Sequence, residues 1–440
     1  MPHAIEVYKF GGASLRNADA VRAMRDIVRT VPLAHRLVIV VSAMGKMTNA
    51  LELALNAALH APEQLPEAVE QIAAFHSSMV ERLSADGQGD YSAALQQLAD
   101  LEVLLTHLPS PSFDQVYDQV VPYGELISSL IVAAYLKEQL SVPVQWVDIR
   151  TVFRSNSVYR AATVNTAISE PLARQAFSSE RPCIFVTQGF IAQGPEGTTT
   201  TLGREGSDYS AALLGAFLQA KAVTIWKDVP GFLTADPALF PKASLLPELD
   251  YREAIEMANS GAKIVHPKAL KPLQNACIPL YVRPFNQPNE QGSAICNLAL
   301  HDGNPPTQIA IREGQVLLSL SPTDLSFALQ DTLAEAFGIL QTHQLRTNLI
   351  QASAISLSLS LDNDPTRLPP ALSALQQLFH VAYNEGLRLI TIRHYTPALR
   401  AALASIPGFL IRQETRTTLQ YLVREKDWAE GYYPTLQEAI

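Results

Sequence analysis

Over the first three hundred of the 440 residues, short β-branched and aromatic runs alternate with longer amphipathic stretches. Residues 5–10, 37–41, 144–147, 183–186, 222–226 and 279–282 read as strands, while 66–83, 91–105 and 166–177 have helical length and patterning. Strands that lack a polar face and alternate with helices predict a mostly parallel sheet in an α/β domain. Proline-rich segments at 62–66 and 109–111 punctuate helices in its first half. The pattern changes at His301-Asp302-Gly303-Asn304-Pro305-Pro306, which reads as a linker. Beyond it, Leu333, Ala336, Phe337 and Leu340 share one helical face. Ile355, Leu357, Leu359 and Leu361 alternate with Ser356, Ser358 and Ser360, predicting a half-buried antiparallel strand with one polar face. Residues 387–392 and 419–423 supply further strands, so the tail is α+β and built from two small units.

Composition narrows the class. With 48% hydrophobic and 17% charged residues the chain can bury large cores and is not a disordered or fibrous sequence. Its formal charge of -9 is the reverse of what a general nucleic-acid or anionic-membrane binder carries. Three cysteines, Cys183, Cys277 and Cys296, form no CxxC pair, which suits a reducing compartment and argues against a disulfide framework or structural zinc. The ten histidines show no metal-ligand spacing. No uninterrupted apolar run reaches membrane-spanning length, and the first strand begins almost at Met1, leaving no room for a signal or transit peptide. A cytoplasmic protein is expected, with neither nucleic acid nor membrane as partner.

Three segments carry chemistry. Lys9-Phe10-Gly11-Gly12-Ala13-Ser14 ends a strand in two glycines ahead of a helix, so backbone N–H groups and the helix dipole can meet phosphate oxygens beside the Lys9 charge. Taken alone it is more often an ordinary strand-to-helix turn, and it is not a Walker loop. In Leu202-Gly203-Arg204-Glu205-Gly206-Ser207-Asp208, Ser207 is placed as an N-cap and Asp208 in the first turn, while Arg204 in a glycine-flanked loop suits anion recognition. Lys227-Asp228 ends a strand, the default ligand position of an α/β sheet, and Gly261-Ala262-Lys263 with His266-Pro267 follows. By themselves Lys263 reads as a solvated helix-start lysine and His266 as a structural residue.

In order along the chain, these segments resemble the aspartate kinases of the amino-acid kinase superfamily. Lys9-Phe10-Gly11-Gly12-Ala13-Ser14, the loop Val41 to Asn49, Gly124-Glu125-Leu126, Gln188-Gly189-Phe190, Gly203-Arg204 with Gly206-Ser207-Asp208, and Gly261-Ala262-Lys263 with His266-Pro267 carry the resemblance, which covers essentially the whole chain. It implies an amino-acid kinase fold over 1–300 and tandem ferredoxin-like ACT domains over 301–440, the first at about 316–380 and the second formed from about 305–315 plus 381–430. It also implies transfer of the ATP γ-phosphoryl group to the side-chain carboxylate of L-aspartate, the first step toward lysine, threonine and methionine. Lys9 and Asp208 are implied as catalytic; Lys9, Phe10, Gly11, Gly12, Lys227, Asp228 and Lys263 as nucleotide-binding; and Ser42, Thr48, Glu125, Phe190, Arg204 and Ser207 as lining the aspartate pocket. Arg204 would take the α-carboxylate and Glu125 the α-ammonium. Mg²⁺ would be held mainly by phosphate oxygens and water, with no protein metal cluster.

The sequence departs from the family at Leu233, Ala238 and Glu205, the last standing in place of a glycine. The ACT units imply a homodimer and an amino-acid effector near Asn348 and Ser353, where some lysine-sensitive relatives carry an aspartate at the position of Asn348. A neutral Asn348 points to weak lysine inhibition and an uncharged effector such as threonine. A fused homoserine dehydrogenase is not expected. A catalytically impaired amino-acid sensor and a kinase for another carboxylate are the alternatives.

Overall fold

The computed structural model describes residues 4–32, 35–108, 112–262, 264–297, 305–323 and 329–439. They divide into two units, the first drawn from 1–232, 245–255 and 264–299, the second from 233–244, 256–263 and 300–440. Two short segments that the sequence pattern groups with the first three hundred residues therefore belong to the second unit. Lys263, part of the 301–306 linker (301–304) and the 109–111 break lie outside the described residues.

The strands of the first unit are β1 (Ile5–Phe10), β2 (Arg36–Val41), β3 (Val144–Val147), β4 (Ile184–Gln188), β5 (Ile191–Gln193), β6 (Thr199–Thr201), β7 (Ala222–Lys227), β8 (Glu248–Asp250), β9 (Leu280–Pro284) and β10 (Ser293–Cys296). β5 and β6 form a separate two-stranded sheet. The other eight form one sheet in the order β3-β4-β2-β1-β7-β9-β10-β8, in which only β9 and β10 run antiparallel. The central strands β1, β2, β4 and β7 are buried on both faces because helices cover both, which is why their sequences lack alternation. β8 and β10, of three and four residues, are too short to show a period and went unread in the sequence.

The helices are α1 (Ala18–Arg29), α2 (Met47–His60), α3 (Leu65–Ser84), α4 (Ser92–Thr106), α5 (Phe113–Val120), α6 (Tyr123–Gln139), α7 (Thr166–Ala176), α8 (Gly206–Phe217), α9 (Tyr251–Ser260) and α10 (Pro267–Asn275). α1 starts where the Asn17 side chain accepts from the Ala20 N–H, and buries Val21, Met24, Ile27 and Val28. The helical stretch Phe113–Gln139 is, contrary to the sequence reading, long and apolar enough to cross a membrane by composition. Most of it (78% of its apolar window) is buried inside the fold, as befits a core helix.

The second unit is a six-stranded antiparallel sheet in the order β12-β13-β11-β14-β16-β15, from β11 (Gln308–Pro322), β12 (Thr347–Ala352), β13 (Leu357–Asp362), β14 (Phe379–Arg393), β15 (Phe409–Glu414) and β16 (Thr418–Arg424). β11 and β14 each serve two halves. Residues 315–320 of β11 pair with β13 and 315–322 with 379–387 of β14, whereas 308–312 pair with 389–393, which in turn pair with β16. The register shifts between the halves, where Gly314 (φ 61°) and Gly386 (φ 68°) take left-handed backbone. Ile355 lies outside β13 and is 66% exposed, and Ser360 of the expected polar face is buried, donating to Gln315 Oε1 at 2.9 Å.

Candidate active site

The order of the large sheet reverses beside β1: β2 extends it on one side and β7 on the other. Crevices at the carboxyl ends of strands at such a point are the default ligand site of a doubly wound sheet. Lys9 is the last residue but one of β1 and Lys227 ends β7, so two lysines converge there. Between them stands Asp208 in the first turn of α8, with Oδ1 2.7 Å from Lys9 Nζ and Oδ2 3.2 Å from Lys227 Nζ. Burial by itself would raise the Asp208 pKa, but the Lys9 and Lys227 charges outweigh it and hold the carboxyl below its usual range. Burial likewise opposes the charge of Lys227, and Asp208 and Glu205 overcome it, raising its pKa. Lys227 also donates to the Ile264 carbonyl. The result is a pair of cations, Lys9 buried and Lys227 half-buried, held by one carboxylate between them.

Tight backbone approaches shape the floor. A Cβ on Gly12 would come within 2.7 Å of the Gly45 carbonyl oxygen, so only glycine lets the β1 turn lie against the loop after β2. The Gly45 N–H donates to the Gly12 carbonyl at 3.0 Å. Half-buried Ser42 donates its N–H to the Phe10 carbonyl and accepts from Ser128 Oγ, and half-buried Thr48 lies in the first turn of α2. Glu125, on α6, is buried with Oε1 accepting from the Ala43 N–H at 3.1 Å, while Oε2 has no hydrogen-bond partner. Burial pushes its pKa up to about 8, the Ala43 amide and the Lys9 charge pulling back only in part.

The turn from β6 into α8 brings the remaining polar groups. Gly203 is left-handed (φ 77°), and Glu205 also takes left-handed backbone (φ 52°) at the N-cap, a conformation natural to the glycine it replaces. Its Oε2 is buried without a partner, and its charge reaches Lys227. Arg204 is exposed. The helix begins at Gly206, so Ser207 is not the cap; it is buried in the first turn, and a Cβ on Gly189 would collide with its Cα at 2.6 Å. Phe190 (φ 71°) is half-buried and donates its N–H to Ser210 Oγ.

Three of the sequence-predicted residues stand apart. Phe10 points into the core, stacked on Trp226 at 6.2 Å and edge-on to Phe285, so only its backbone faces the β2 loop. Along a strand successive side chains alternate, and Lys9 takes the cleft side. In the second unit, Asn348 opens β12 at a register irregularity and donates to Gln315 Oε1 and Asp362 Oδ1, whereas Ser353 sits in the turn beyond the other end. At about 3.3 Å per residue the two are roughly 16 Å apart and do not form one site within the chain. His266 caps α10, Nδ1 accepting from the Lys268 N–H, which is a structural task. Among the described residues no group of three or more His, Cys, Asp or Glu could hold a metal ion.

The family model described as amino acid kinase family matches residues 4–284. Over 400 residues the chain is 35% identical to lysine-sensitive aspartokinase 3 of Escherichia coli strain K12, covering 88% of this chain and 86% of that one. The chain belongs to the aspartokinases of the amino acid kinase family. Two crystal structures of E. coli aspartokinase III, each 31% identical and matched over 99% of this chain and 98% of theirs, carry the same fold: TM-score 0.85 for the complex with aspartate and ADP in the R-state, and 0.76 for that with lysine and aspartate in the T-state. The parallel-core sheet is thus the amino-acid kinase fold, and the antiparallel sheet after it is the ACT region.

Proposed function

We propose that this aspartokinase transfers the γ-phosphoryl group of ATP to the side-chain carboxylate of L-aspartate, giving 4-phospho-L-aspartate and ADP at the head of lysine, threonine and methionine synthesis. The observation that carries the reading is the Asp208-bridged lysine pair, Lys9 buried and Lys227 half-buried, at the sheet's switch point. An aspartate side chain with a reference pKa of about 3.9 is already ionised at neutral pH, so the reaction needs no general base. The barrier is repulsion between an anionic nucleophile and a polyanionic donor, which fixed positive charge relieves. Lys9, beside the Gly11-Gly12 amides, meets the transferring group; Lys227 and Lys263 hold the outer phosphates, with Asp228 beside them. Asp208 aims both cleft lysines rather than taking a proton. Since Asp208 is occupied by lysines, Mg²⁺ is carried by the nucleotide's phosphates and water, where it screens their charge.

Arg204 receives the α-carboxylate and Glu125 the α-ammonium, with Ser42, Thr48, Phe190 and Ser207 closing the pocket. The three cysteines are unpaired, which suits the cytoplasm. ACT edges pair two copies into a homodimer. The test is hydroxylamine trapping of acyl phosphate with ATP, Mg²⁺ and a panel of acidic amino acids. Hydroxamate with aspartate is expected; its absence, or product only with another acid, sinks the reading.

An amino-acid effector binds the ACT region. Asn348 is neutral and its amide is committed to Gln315 and Asp362; Asp362 also meets Arg312 at 3.5 Å. A lysine ammonium arriving there forfeits a charge-assisted hydrogen bond of roughly 1–2 kcal/mol, about ten-fold in affinity. Lysine inhibition is expected to be weak, threonine or another uncharged amino acid being the better ligand. Titration of aspartate-dependent activity with lysine and threonine checks this, and potent inhibition of the unaltered enzyme by lysine contradicts it.

A further inference from the structure

Asp118, on α5, is fully buried and lies outside the cleft segments described above. Its carboxylate accepts four hydrogen bonds. The Arg160 N–H reaches Oδ1 at 3.2 Å and Oδ2 at 3.0 Å; the Thr201 N–H reaches Oδ2 at 2.9 Å, and Thr201 Oγ1 reaches Oδ1 at 2.7 Å. One anion thus ties two distant backbone segments together, the loop at 158–162 and the end of β6. Arg160 takes left-handed backbone (φ 60°), an unfavourable state for a side-chain-bearing residue that persists only where its surroundings hold it. Outside, its guanidinium lies 4.6 Å from the Tyr117 ring centroid and 5.4 Å from that of Phe113, and pairs with Asp114 at 3.0 Å.

What this clasp holds is the Arg204 turn. Thr201 is three residues before Arg204, and its carbonyl accepts from the Ala162 N–H at 2.9 Å. Leu202 donates to the Phe190 carbonyl at 2.8 Å, and Gly203 lies so close to the 158–162 loop that a Cβ there would sit 3.0 Å from the Arg160 carbonyl oxygen. The Arg204 turn is therefore seated between that loop and Phe190, and the loop is fastened through Asp118. We propose that Asp118 is a positioning residue for aspartate recognition: it fixes the 158–162 loop and the end of β6 so that Arg204 meets the α-carboxylate. The inference rests on the aspartate-kinase reading and extends it.

The chemistry demands a carboxylate. All the groups converging on Asp118 are N–H or O–H donors; an asparagine there offers one acceptor oxygen and turns its NH₂ toward donors. Burial pushes the Asp118 pKa up to about 6, the Thr201 and Arg160 hydrogen bonds and the Arg160 charge working against it. The charged and titratable groups around it are Arg160, Asp114, Tyr117 and, hydrogen-bonded to the Tyr117 hydroxyl, Glu52. As pH falls through about 6 the carboxyl gains a proton, one acceptor becomes a donor, and the clasp loosens.

The experiment compares KM for aspartate, KM for ATP and kcat in the full chain, from pH 5.5 to 8, for the wild type, Asp118→Asn and Thr201→Val. Because misplacing a substrate contact by about 1 Å can cost about 10²-fold, Asp118→Asn is expected to raise KM for aspartate about ten-fold or more with KM for ATP little changed. Thr201→Val, which removes only the hydroxyl bond, should shift it the same way by a smaller factor. Below pH 6 the wild type should lose aspartate affinity more steeply than Asp118→Asn, which keeps only the dependence set by Glu125. A residue that merely stabilises the fold would lower melting temperature and active fraction and leave the ratio of the two KM values alone. If Thr201→Val and any folded Asp118→Asn keep the wild-type ratio, the proposal is wrong. If the wild type makes no aspartyl phosphate at all, the aspartate-kinase reading has failed and takes the proposal with it.

Discussion

Lys9→Ala is expected to lower kcat about 10²–10³-fold, the loss typical of removing one preorganised charge from a transition state. Sequence reasoning treats a strand-end lysine as nearly irrelevant to folding. The structure says otherwise, because Lys9 is only 7% exposed and forms a buried ion pair with Asp208. Stripping one partner from a buried pair costs about 3–5 kcal/mol when the other is left alone. Here Asp208 keeps Lys227 at 3.2 Å, so the penalty is smaller, but the variant should melt measurably below the wild type. Turnover is therefore to be measured well below the melting temperature, with the folded fraction followed by circular dichroism, and with Lys9→Met as a variant that keeps the buried volume. Folded variants with near-normal turnover would show Lys9 to be a structural residue of β1.

The central sheet was legible because of where it lies. β1, β2, β4 and β7 are covered on both faces, so each appears as an apolar run ended by glycine or a polar residue at the cleft. Lys9, Lys227 and Asp208 were each readable as candidates, but their pairing was not, since it depends on the adjacency of β1 and β7 and on the entry of α8 between them. Phe10 can serve the cleft only through its backbone, since two neighbours on one strand cannot both face it and the Phe10 side chain has the core. The same arithmetic separates Asn348 from Ser353 along β12. Asp118 carried no local signal, being one acidic residue in a helix; its donors come from 42 and 83 residues away. Glu205 was seen only as a lost glycine, whereas its left-handed backbone and buried oxygen make it part of the cleft's electrostatics.

Glu125→Gln is expected to weaken aspartate binding about 10²-fold, within the 2–5 kcal/mol or more that truncating one partner of a buried hydrogen-bonded charge pair costs, and to make the empty protein more stable. Both effects come from the same unpaired oxygen. Glu125 is 3% exposed and satisfied on one oxygen only, and burial pushes its pKa from the usual 4.5 up to about 8. In the empty site at neutral pH it is mostly a neutral acid. A substrate ammonium selects the ionised form, so binding aspartate releases a proton, and KM for aspartate should fall as pH rises toward 8 and level off above it. The stability effect has the opposite sense. A folded-state pKa above the unfolded one means that the neutral carboxyl's contribution is complete below about 4.5 and is lost as pH rises through 8. Glutamine stays neutral throughout, so its advantage in melting temperature should be small near pH 5 and grow to several degrees by pH 8, each kcal/mol being worth about 2–4 °C in a domain of 150–250 residues. Melting curves and KM values for both proteins across pH 5–8.5 decide it. A difference in melting temperature that does not change with pH, or a pH-independent KM for aspartate in the wild type, would show that Glu125 is ionised before substrate arrives.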